Sequence, residues 1–327
     1  MKILVIGSNS FSGFNFVKFC LNKNLKVWSV SRSKLINNYY ANWEQEKCKF
    51  NFKKIDLNKN YIELFKIIDK EQFQFIANFS AQGMVAQSWK NPLDWYETNV
   101  ISQIRLFEFL KTKKFLKKYL HVSTPEVYGS IKSLHNESYN FNPSTPYAIS
   151  RSCADSHLLG IYKNYGFPVV FTRAANVYGP GQQLYRIIPK TIMKIRNNDK
   201  ILLDGGGKSI RSFIHIDDVN SAYYKVLRRG MAGETYHVSG NEFLSVKKIV
   251  QKICNLMSVK YHKHVKELKS DRIGKDYAYK LCSNKLRIKL NWEDIIDIDN
   301  GIIDTISWIN KNYNYLKKQN LEYIHKK

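Results

Sequence analysis

The sequence predicts an α/β fold of the Rossmann type, in which a doubly wound parallel sheet is joined to a smaller C-terminal lobe. Short apolar runs alternate with longer amphipathic stretches through the first half of the chain. This alternation is typical of a parallel sheet with helices on both faces. A loop of small residues follows the first apolar run. Beyond Arg173 the alternation ends and several glycines and prolines appear, which indicates a second lobe.

The apolar runs predict six strands and the stretches between them predict helices. The predicted strands are residues 2–6, 26–30, 50–55, 75–79, 119–123 and 168–173. The clearest predicted helices are residues 14–21, 61–69 and 100–112. We expect a Rossmann lobe of residues 1–173 with about 213–240, and a smaller lobe of residues 174–212 and 241–327, since 327 residues suffice for two coupled units.

Composition bounds the class of protein. Forty-four per cent of the residues are hydrophobic, which predicts a packed core. No apolar run has the length of a membrane span, and the apolar start of the chain is typical of a buried first strand rather than a signal peptide. The five cysteines lack metal-ligand spacing and the even count of a disulfide framework. We therefore expect a cytoplasmic protein with reduced thiols, no metal site and no membrane partner.

The net charge of +25 raises the question of nucleic-acid binding. The lysines are spread over the whole chain among many asparagines and isoleucines, as a composition bias produces. Residues 317–327 are basic and aromatic, and we expect them to form a frayed, solvated terminus. The sequence therefore predicts no nucleic-acid partner, although a basic surface attracts diphosphates.

Residues 7–13, Gly-Ser-Asn-Ser-Phe-Ser-Gly, join the first predicted strand to the first helix. Such a loop lets backbone amides approach a pyrophosphate, and the following helix N-terminus adds a favourable dipole. An ordinary glycine turn has the same residue types, so the loop alone does not decide its function. It resembles the G-x-x-G-x-x-G motif of the short-chain dehydrogenase/reductase superfamily with Ser10 as the middle residue. That resemblance assigns Gly7, Ser10, Phe11 and Gly13 to dinucleotide binding.

The end of the second strand bears on the choice of cofactor. Proteins that prefer NAD usually carry an acid there, and residues 29–33 contain none. Arg32 is able to pair with a 2′-phosphate instead, unless it is an ordinary surface residue. The sequence thus favours NADP over NAD. Ser31 belongs to the same segment, and Asp56 with Leu57 lies where superfamily members contact adenine.

Tyr147 and Arg151 are four residues apart, so they share one face of a helix. A cation beside a phenol favours the phenolate and lowers its pKa. A phenolate near neutrality takes a hydroxyl proton while hydride leaves to nicotinamide. Thr124, at the end of a predicted strand, is placed to orient the same hydroxyl. These residues predict the reversible oxidation of an alcohol.

The pattern resembles the extended short-chain dehydrogenases, in which a Ser or Thr precedes Tyr-x-x-x-Lys. Within them, Ser-Thr-Pro-Glu-Val-Tyr-Gly at residues 123–129 resembles the STDEVYG segment of the dTDP-glucose 4,6-dehydratases. Further segments resemble that family in order along nearly the whole chain. They are residues 78–88, 98–100, 174–182, 188–189, 211–219, 271–276 and 301–308.

The resemblance implies a nucleotide-diphosphate sugar as substrate and a reaction in three steps. Tyr147, oriented by Thr124, takes the C4 hydroxyl proton as hydride passes to the cofactor. Glu126 removes the C5 proton, water leaves from C6, and hydride returns to C6. The product is a 4-keto-6-deoxy sugar, and the tightly bound cofactor is recycled.

The resemblance also assigns binding residues. Cofactor contacts are implied for Ser80, Ala81, Gln82, Asn99, Tyr147 and Arg151. Substrate contacts are implied for Ser88, Thr124, Asn176, Arg211 and Arg272, the last three at the diphosphate, since planar guanidinium groups suit phosphate. A surface salt bridge is the alternative for each arginine. Relatives dimerise through helices corresponding to residues 100–112 and 150–164, which implies a homodimer.

Two departures from the family pattern leave the reaction subtype open. Arg151 keeps the charge of the family lysine but cannot relay a proton. Pro125 replaces the family aspartate that protonates the leaving C6 hydroxyl. GDP-mannose 4,6-dehydratases also lack that aspartate but keep the glutamate, so Glu126 is left to serve as both base and acid. A 4-epimerase or a decarboxylase is the second interpretation. A non-catalytic protein that binds cofactor or nucleotide is the third.

Overall fold

The computed structural model describes residues 1–41, 50–270 and 276–325. Seven parallel strands form its main sheet, in the spatial order β12-β7-β5-β4-β1-β2-β3. The strands are β1 (Lys2–Ile6), β2 (Lys26–Ser31), β3 (Phe50–Lys54), β4 (Phe75–Asn78), β5 (Lys118–Val122), β7 (Val169–Ala174) and β12 (Thr235–Val238). The strand order reverses between β1 and β4, which confirms the predicted doubly wound Rossmann fold.

The six predicted strands are confirmed to within one residue at each end. The seventh, β12, was not predicted as a strand. The helices beside this sheet are α1 (Phe11–Asn22), α2 (Asn38–Ala41), α3 (Tyr61–Glu71), α4 (Pro92–Tyr96), α5 (Ser102–Leu110), α6 (Pro146–Tyr165), α8 (Ile216–Arg229) and α11 (Asn284–Leu290). The three predicted helices correspond to α1, α3 and α5, the last preceded by a π-helical turn (Glu97–Ile101).

Helix α6 begins and ends where its sequence dictates. The side chain of Thr145 accepts a hydrogen bond from the amide of Ala148 at 3.2 Å, and Pro146 takes the first helical position, where a missing N–H costs nothing. Gly166 ends the helix with a left-handed backbone, φ +66°. The cap places the side chain at position 147 in the first turn of the helix.

Consecutive residues of β1 face opposite sides of the sheet, and both sides are covered. Ile3 and Val5 pack with residues of α1, α8 and α11 on one side. Leu4 and Ile6 pack with residues of α3, α5 and α6 on the other. Burial on both faces explains why the strand reads as a continuous apolar run.

The remaining elements form short sheets and a third apolar core. The strands are β6 (Ile131–His135), β8 (Asn176–Tyr178), β9 (Ile201–Leu203), β10 (Ile210–Arg211), β11 (Phe213–His215), β13 (Leu244–Ser245), β14 (Val265–Glu267) and β15 (Ala278–Leu281). The helices are α7 (Ile187–Arg196), α9 (Val246–Leu256), α10 (Tyr261–His264) and α12 (Ile298–Leu316). The core of this part draws on side chains from Tyr178 to Leu321. The predicted lobe boundaries stay a prediction.

The described residues contain neither a membrane-spanning helix nor a metal-binding group. Among those residues, no helix combines the length and the apolarity that crossing a membrane requires. The same residues contain no group of three or more His, Cys, Asp or Glu side chains placed to hold a metal ion.

Candidate active site

A cavity of about 700 Å³ opens at the carboxyl edge of the main sheet, where parallel α/β folds bind their ligands. Its wall includes the N-terminus of α1, the turn after β5, and the first turns of α6 and α7. The predicted site residues that line the cavity are Ser10, Phe11, Ala81, Thr124, Glu126, Tyr147, Arg151, Asn176 and Arg211. Folding therefore brings nine of the twenty predicted site residues to one cavity, among them the three proposed to act on the sugar, Thr124, Glu126 and Tyr147.

The loop between β1 and α1 needs glycine at its two ends. Gly7 has a φ of +79°, and a Cβ atom there would lie 2.6 Å from the backbone nitrogen of Ser80. A Cβ atom at Gly13 would lie 2.3 Å from the carbonyl oxygen of Gly7. Ser10 has an ordinary φ of −71°; its hydroxyl donates to the Gly7 carbonyl at 2.8 Å and accepts from the Gly13 amide at 3.1 Å. Ser10 thus caps α1, which explains why the middle position carries no glycine.

The residues predicted on the adenine side follow two neighbouring strands. Ser31 ends β2 and the half-buried Arg32 comes next, while Asp56 and the buried Leu57 follow β3. The side chain of Asp56 accepts a hydrogen bond from the amide of Asn58 at 2.9 Å. Since β2 and β3 pair in parallel, these four predicted residues share one end of the sheet.

The segment after β4 is held by the π-helical turn. Asn99 accepts a hydrogen bond from the amide of Gln82 at 2.7 Å and donates to the Gln82 carbonyl at 3.0 Å. It also donates to the hydroxyl of Ser150, in α6, at 3.0 Å. Ser80 donates through its hydroxyl to Asn78 at 2.5 Å. Asn99 therefore positions the backbone beside the cavity and links it to α6.

Thr124, Glu126 and Tyr147 form one cluster at the cavity. The hydroxyl of Thr124 donates to the carboxylate of Glu126 and lies close enough to the phenol of Tyr147 to lower its pKa. Burial raises the pKa of Tyr147 and the charge of Glu126 raises it further, whereas Arg151 and Thr124 lower it by less. The prediction that the neighbouring cation brings this phenol near neutrality is therefore wrong, because desolvation outweighs one buried charge.

Arg151 is 2% exposed and lies beneath the cluster. Its Nη2 atom donates to the carbonyl of Val122 and lies 3.3 Å from Nε2 of His121. Its Nη1 atom is buried without a hydrogen-bond partner among the described groups. A buried guanidinium nitrogen in that state is costly, and Arg151 also lines the cavity. The position therefore suits an acceptor on a bound molecule.

A buried network beneath the cluster was not predicted. Asp155, in α6, accepts a hydrogen bond from the hydroxyl of Ser123 at 2.6 Å and from Arg173 at 2.8 Å. Nε2 of His121 lies 3.2 Å from its other oxygen. Burial raises the pKa of Asp155, but the nearby His121 and the charge of Arg173 outweigh it, so the pKa lies well below its ordinary value. Asp155 follows Tyr147 at twice the helical four-residue spacing, which is the signal that sequence reasoning could have used.

The residues predicted to contact substrate fall into three groups. Asn176 is exposed on the cavity wall. Arg211 lies on the same wall, with its guanidinium 4.3 Å above the ring of Tyr279 and donating to the carbonyl of Asp276 at 2.7 Å. The structure does not support Ser88 as a substrate contact. It is fully buried, and its hydroxyl donates to the carbonyl of residue 85 at 2.6 Å and accepts from the amide of residue 147 at 3.2 Å. Arg272 lies outside the described residues.

A row of basic side chains on the cavity wall was also missed. Arg186, at the N-cap of α7, and Lys190 and Lys194 within the helix follow each other at four-residue spacing and line the cavity. Lys194 forms an ion pair with Asp199 at 3.2 Å. The four-residue spacing is visible in the sequence, but only the packing of α7 shows that this face meets the cavity.

The C-terminal stretch is not the frayed terminus that its composition predicted, at least as far as residue 325. Glu322 pairs with Lys190 at 2.6 Å, and the hydroxyl of Tyr323 accepts a hydrogen bond from Gln82 at 2.8 Å. His325 lies 2.7 Å from Asp94 and stacks on a tryptophan ring of α4. These contacts hold residues 322–325 against the rim of the cavity.

The parallel sheet, the glycine loop and the Thr–Tyr pair at the carboxyl edge define an extended short-chain dehydrogenase/reductase. The sequence profile of GDP-mannose 4,6-dehydratase matches residues 4–305, and the chain belongs to that family. The dTDP-D-glucose 4,6-dehydratase of Mus musculus is 30% identical over 327 residues, which cover 97% of this chain and 90% of that protein. The dTDP-glucose 4,6-dehydratase of Haemophilus influenzae is 28% identical, over 94% and 97% of the two chains.

Solved structures agree with this assignment. A crystal structure of dTDP-glucose 4,6-dehydratase from Bacillus anthracis in complex with NAD matches with a TM-score of 0.87 and 29% identity, over 97% of this chain and 99% of that one. A UDP-glucuronic acid 4-epimerase from Bacillus cereus, in complex with UDP-glucuronic acid and NAD, also reaches a TM-score of 0.87, at 22% identity over 96% and 100%. The second match is one of fold alone, so fold does not separate dehydratases from epimerases.

The buried charge of Asp155 leads to a prediction about stability and pH. A carboxyl whose pKa is depressed in the folded state stabilises that state above its unfolded pKa of about 4, and the contribution is lost as the pH falls through the folded-state pKa. We expect Asp155→Asn to lower the free energy of unfolding at pH 7 by about 3–5 kcal/mol, because Arg173 keeps its charge without a counter-ion.

Urea unfolding measured at pH 7 and at several values below about pH 5 tests this. The native protein should lose stability steeply over the acid range, and Asp155→Asn should lose less. Asp299→Asn is the control, since Asp299 pairs with Lys252 near the surface and such a pair is worth about 0–1 kcal/mol. Equal acid slopes for the native protein and Asp155→Asn would contradict the assignment of a depressed pKa.

Proposed function

We propose that the protein is a nucleotide-sugar 4,6-dehydratase, which oxidises C4 of the sugar, removes water across C5 and C6, and returns hydride to C6. The observation that carries the proposal is the contact of Thr124 with both Tyr147 and Glu126 in one cavity. An alcohol oxidation needs Thr124 and Tyr147, and only the elimination needs a carboxylate such as Glu126 beside them. Relatives matched over nearly their whole length are named as dehydratases.

The residues beside the cavity fit a nicotinamide dinucleotide. The Gly7–Gly13 loop presents backbone amides at the N-terminus of α1, as a pyrophosphate requires. The unpartnered Nη1 atom of Arg151 would donate to a ribose hydroxyl next to the nicotinamide. Gln82, held by Asn99, would contact the same half of the dinucleotide. The cofactor supplies a hydride acceptor and a positive charge, and the reaction regenerates it.

In the first step, Tyr147 accepts the proton of the C4 hydroxyl while Thr124 holds that hydroxyl in place. The raised pKa of Tyr147 means that the phenol binds its proton strongly, so it is a good base only when a further positive charge lies nearby. In the return step hydride adds to C6, and the phenol of Tyr147 supplies the proton that converts the resulting C4 enolate into the ketone with a hydrogen on C5. Arg151 contributes positive charge near the phenol.

In the second step, Glu126 removes the C5 proton. Residue 125 is a proline, so Glu126 is the only carboxyl group between residues 123 and 129. We propose that Glu126 then gives that proton to the C6 oxygen as the C6–O bond breaks, which releases water and balances the step. The hydrogen bond from Thr124 keeps the carboxylate directed at the sugar.

Arg211 and the basic face of α7 would bind the diphosphate. Arg186, Lys190 and Lys194 present positive charge along one wall of the cavity, and the planar guanidinium of Arg211 on the cavity wall suits phosphate oxygens. Asn176 lines the same cavity. Along the chain it lies between the catalytic residues and these basic side chains. Arg272 stays a prediction from the resemblance. A cytoplasmic location likewise stays a prediction.

The finer choice of cofactor depends on Arg32. Solved relatives hold NAD, whereas Arg32 and the lack of an acid at residues 29–33 favour NADP. We expect Arg32→Ala to weaken NADP binding by about 5- to 150-fold, the equivalent of 1–3 kcal/mol for one charge-assisted phosphate contact. NAD binding should change little, and Lys34→Ala serves as a neighbouring control. Calorimetric titration measures both affinities, and native protein that prefers NAD would refute the preference for NADP.

Glu126 separates the dehydratase from its relatives. We expect Glu126→Gln to keep its fold and to produce reduced nicotinamide on addition of dTDP-glucose or another nucleotide sugar from a panel. It should then stall, with dehydration slowed about a hundred- to ten-thousand-fold. Tyr147→Phe should instead abolish the reduced-nicotinamide absorbance. Glu71→Gln, at the opposite edge of the sheet and paired with Lys2, should match the native protein.

Mass spectrometry of the products distinguishes the dehydratase from the alternative enzymes. Loss of water marks the dehydratase, an unchanged mass marks the epimerase, and loss of carbon dioxide marks the decarboxylase. Pro125 is the observation that favours a 4-epimerase, since that reaction needs no acid at C6. Native turnover by Glu126→Gln would place the epimerase first. No chemistry with any nucleotide sugar, together with cofactor binding, would favour a non-catalytic binding protein.

We propose a homodimer that forms through the flank carrying α4, α5 and α6. Leu93 is 79% exposed on α4, Ile149 40% on α6, and Ile101 41% on the π-helical turn between α4 and α5, and α4 packs against α6. We expect solution scattering at micromolar concentration to give twice the mass of one chain, and Ile149→Glu to give one chain. Ile288→Glu is the control, since Ile288 is 78% exposed on α11, on the other side of the main sheet. A monomeric native protein would contradict the proposal.

A further inference from the structure

The two catalytic groups of the proposed reaction come from different elements. Tyr147 lies in the first turn of α6, and Glu126 lies in a 3-10 turn (Pro125–Tyr128) after β5. The turn is a single short loop bounded by Gly129, whose φ is +69°. Productive geometry requires the distance between two such groups to be held within a fraction of an ångström. Something must therefore tie the turn to α6.

The front of the turn is tied to α6 by one hydrogen bond. Ser123 immediately precedes Thr124, and its hydroxyl donates to Asp155 at 2.6 Å. Asp155 lies on the face of α6 that carries Tyr147 and Arg151, at successive four-residue steps. The helix that presents the phenol thus also holds the start of the turn.

The end of the turn is tied to the same carboxylate through Arg173. This side chain rises from β7 and donates to Asp155 at 2.8 Å and to the hydroxyl of Tyr128. Its guanidinium also lies 4.7 Å above the Tyr128 ring. The Tyr128 hydroxyl lies 2.9 Å from Nε2 of His237, in β12. Ser123 and Tyr128 bracket Thr124 and Glu126, so both ends of the turn depend on one ion pair.

Stability alone does not explain the ion pair between Asp155 and Arg173. Both side chains are at most 2% exposed, and replacing such a buried pair by apolar side chains is often neutral or stabilising. Proton transfer does not explain it either. The pKa of Arg173 is raised by its neighbours despite burial and that of Asp155 is depressed, so neither group changes charge in the working range.

We propose that Asp155 and Arg173 are a positioning pair, which sets the placement of the Glu126 turn relative to Tyr147 through Ser123 and Tyr128. The proposal rests on the dehydratase function for its catalytic consequence. The first hydride transfer uses Tyr147 and Thr124, and Thr124 keeps a second tie, since the backbone amide of Ser123 donates to the carbonyl of Thr172 at 2.8 Å. The elimination uses Glu126, and it depends on the whole turn being held.

The test is the double variant Asp155→Leu/Arg173→Met, which removes both charges together and leaves neither buried alone. We expect it to bind cofactor as the native protein does and to keep KM for dTDP-glucose, or for the panel substrate that turns over, within about threefold. Formation of reduced nicotinamide should persist. Overall turnover should fall about a hundredfold, the cost of a displacement near 1 Å. The matched control is Lys252→Met/Asp299→Leu, a pair between α9 and α12, which should leave both half-reactions unchanged.

Native turnover by the double variant would overturn the proposal. So would an equal loss of both half-reactions, because a smaller folded fraction lowers them together. If the double variant does not fold, Arg173→Lys keeps the charge but offers no planar fork to span Asp155 and Tyr128, and we expect the same selective loss at the elimination.

Hydrogen–deuterium exchange provides a readout that does not depend on the reaction. Backbone amides at residues 123–129 should exchange faster in the double variant than in the native protein, and those of α9 and α12 should be unchanged. Unaltered exchange at residues 123–129 would overturn the positioning role whatever the reaction is. A native protein that releases no dehydrated product would instead overturn the proposed function. The exchange experiment would still test the positioning role.

Discussion

Side chains from β5, β7 and α6 converge on the buried carboxylate of Asp155, and the geometry of the site depends on that convergence. The helix that carries Tyr147 supplies the carboxylate; Ser123, directly after β5, and Arg173, in β7, bind it. Because the charges are sealed from water, the contacts are strong and directional, and any loss of one partner strands the other. The same feature makes the interior costly to build and hard to alter.

Burial also controls the chemistry at the cavity. Desolvation raises the pKa of Tyr147, and the neighbouring Arg151 does not compensate. The four-residue spacing of Tyr147 and Arg151 is typical of a base that works near neutrality. In this structure the Tyr147 phenol keeps its proton until further positive charge is present. Arg151 in turn has a buried donor that no described group satisfies. Both observations describe a site whose electrostatics are completed by what binds in it.

The rim of the cavity gathers residues that are distant in the chain. Lys190 in α7 meets Glu322, and Gln82 after β4 meets Tyr323. These contacts order a basic, aromatic stretch whose composition alone is typical of a solvated terminus. Aromatic rings and paired charges gain enough from such contacts to offset the loss of conformational freedom.

The amino-acid order by itself determined six of the seven strands of the main sheet, because strands buried on both faces read as nearly continuous apolar runs. It also determined the loop at Gly7 and the grouping of Thr124, Glu126 and Tyr147, since parallel strands end at one edge. Tertiary structure alone decided the pKa of Tyr147, the burial of Ser88 and the ion pair of Asp155 with Arg173. Those properties depend on which elements pack together and how much water they exclude, and no local spacing in the chain encodes either.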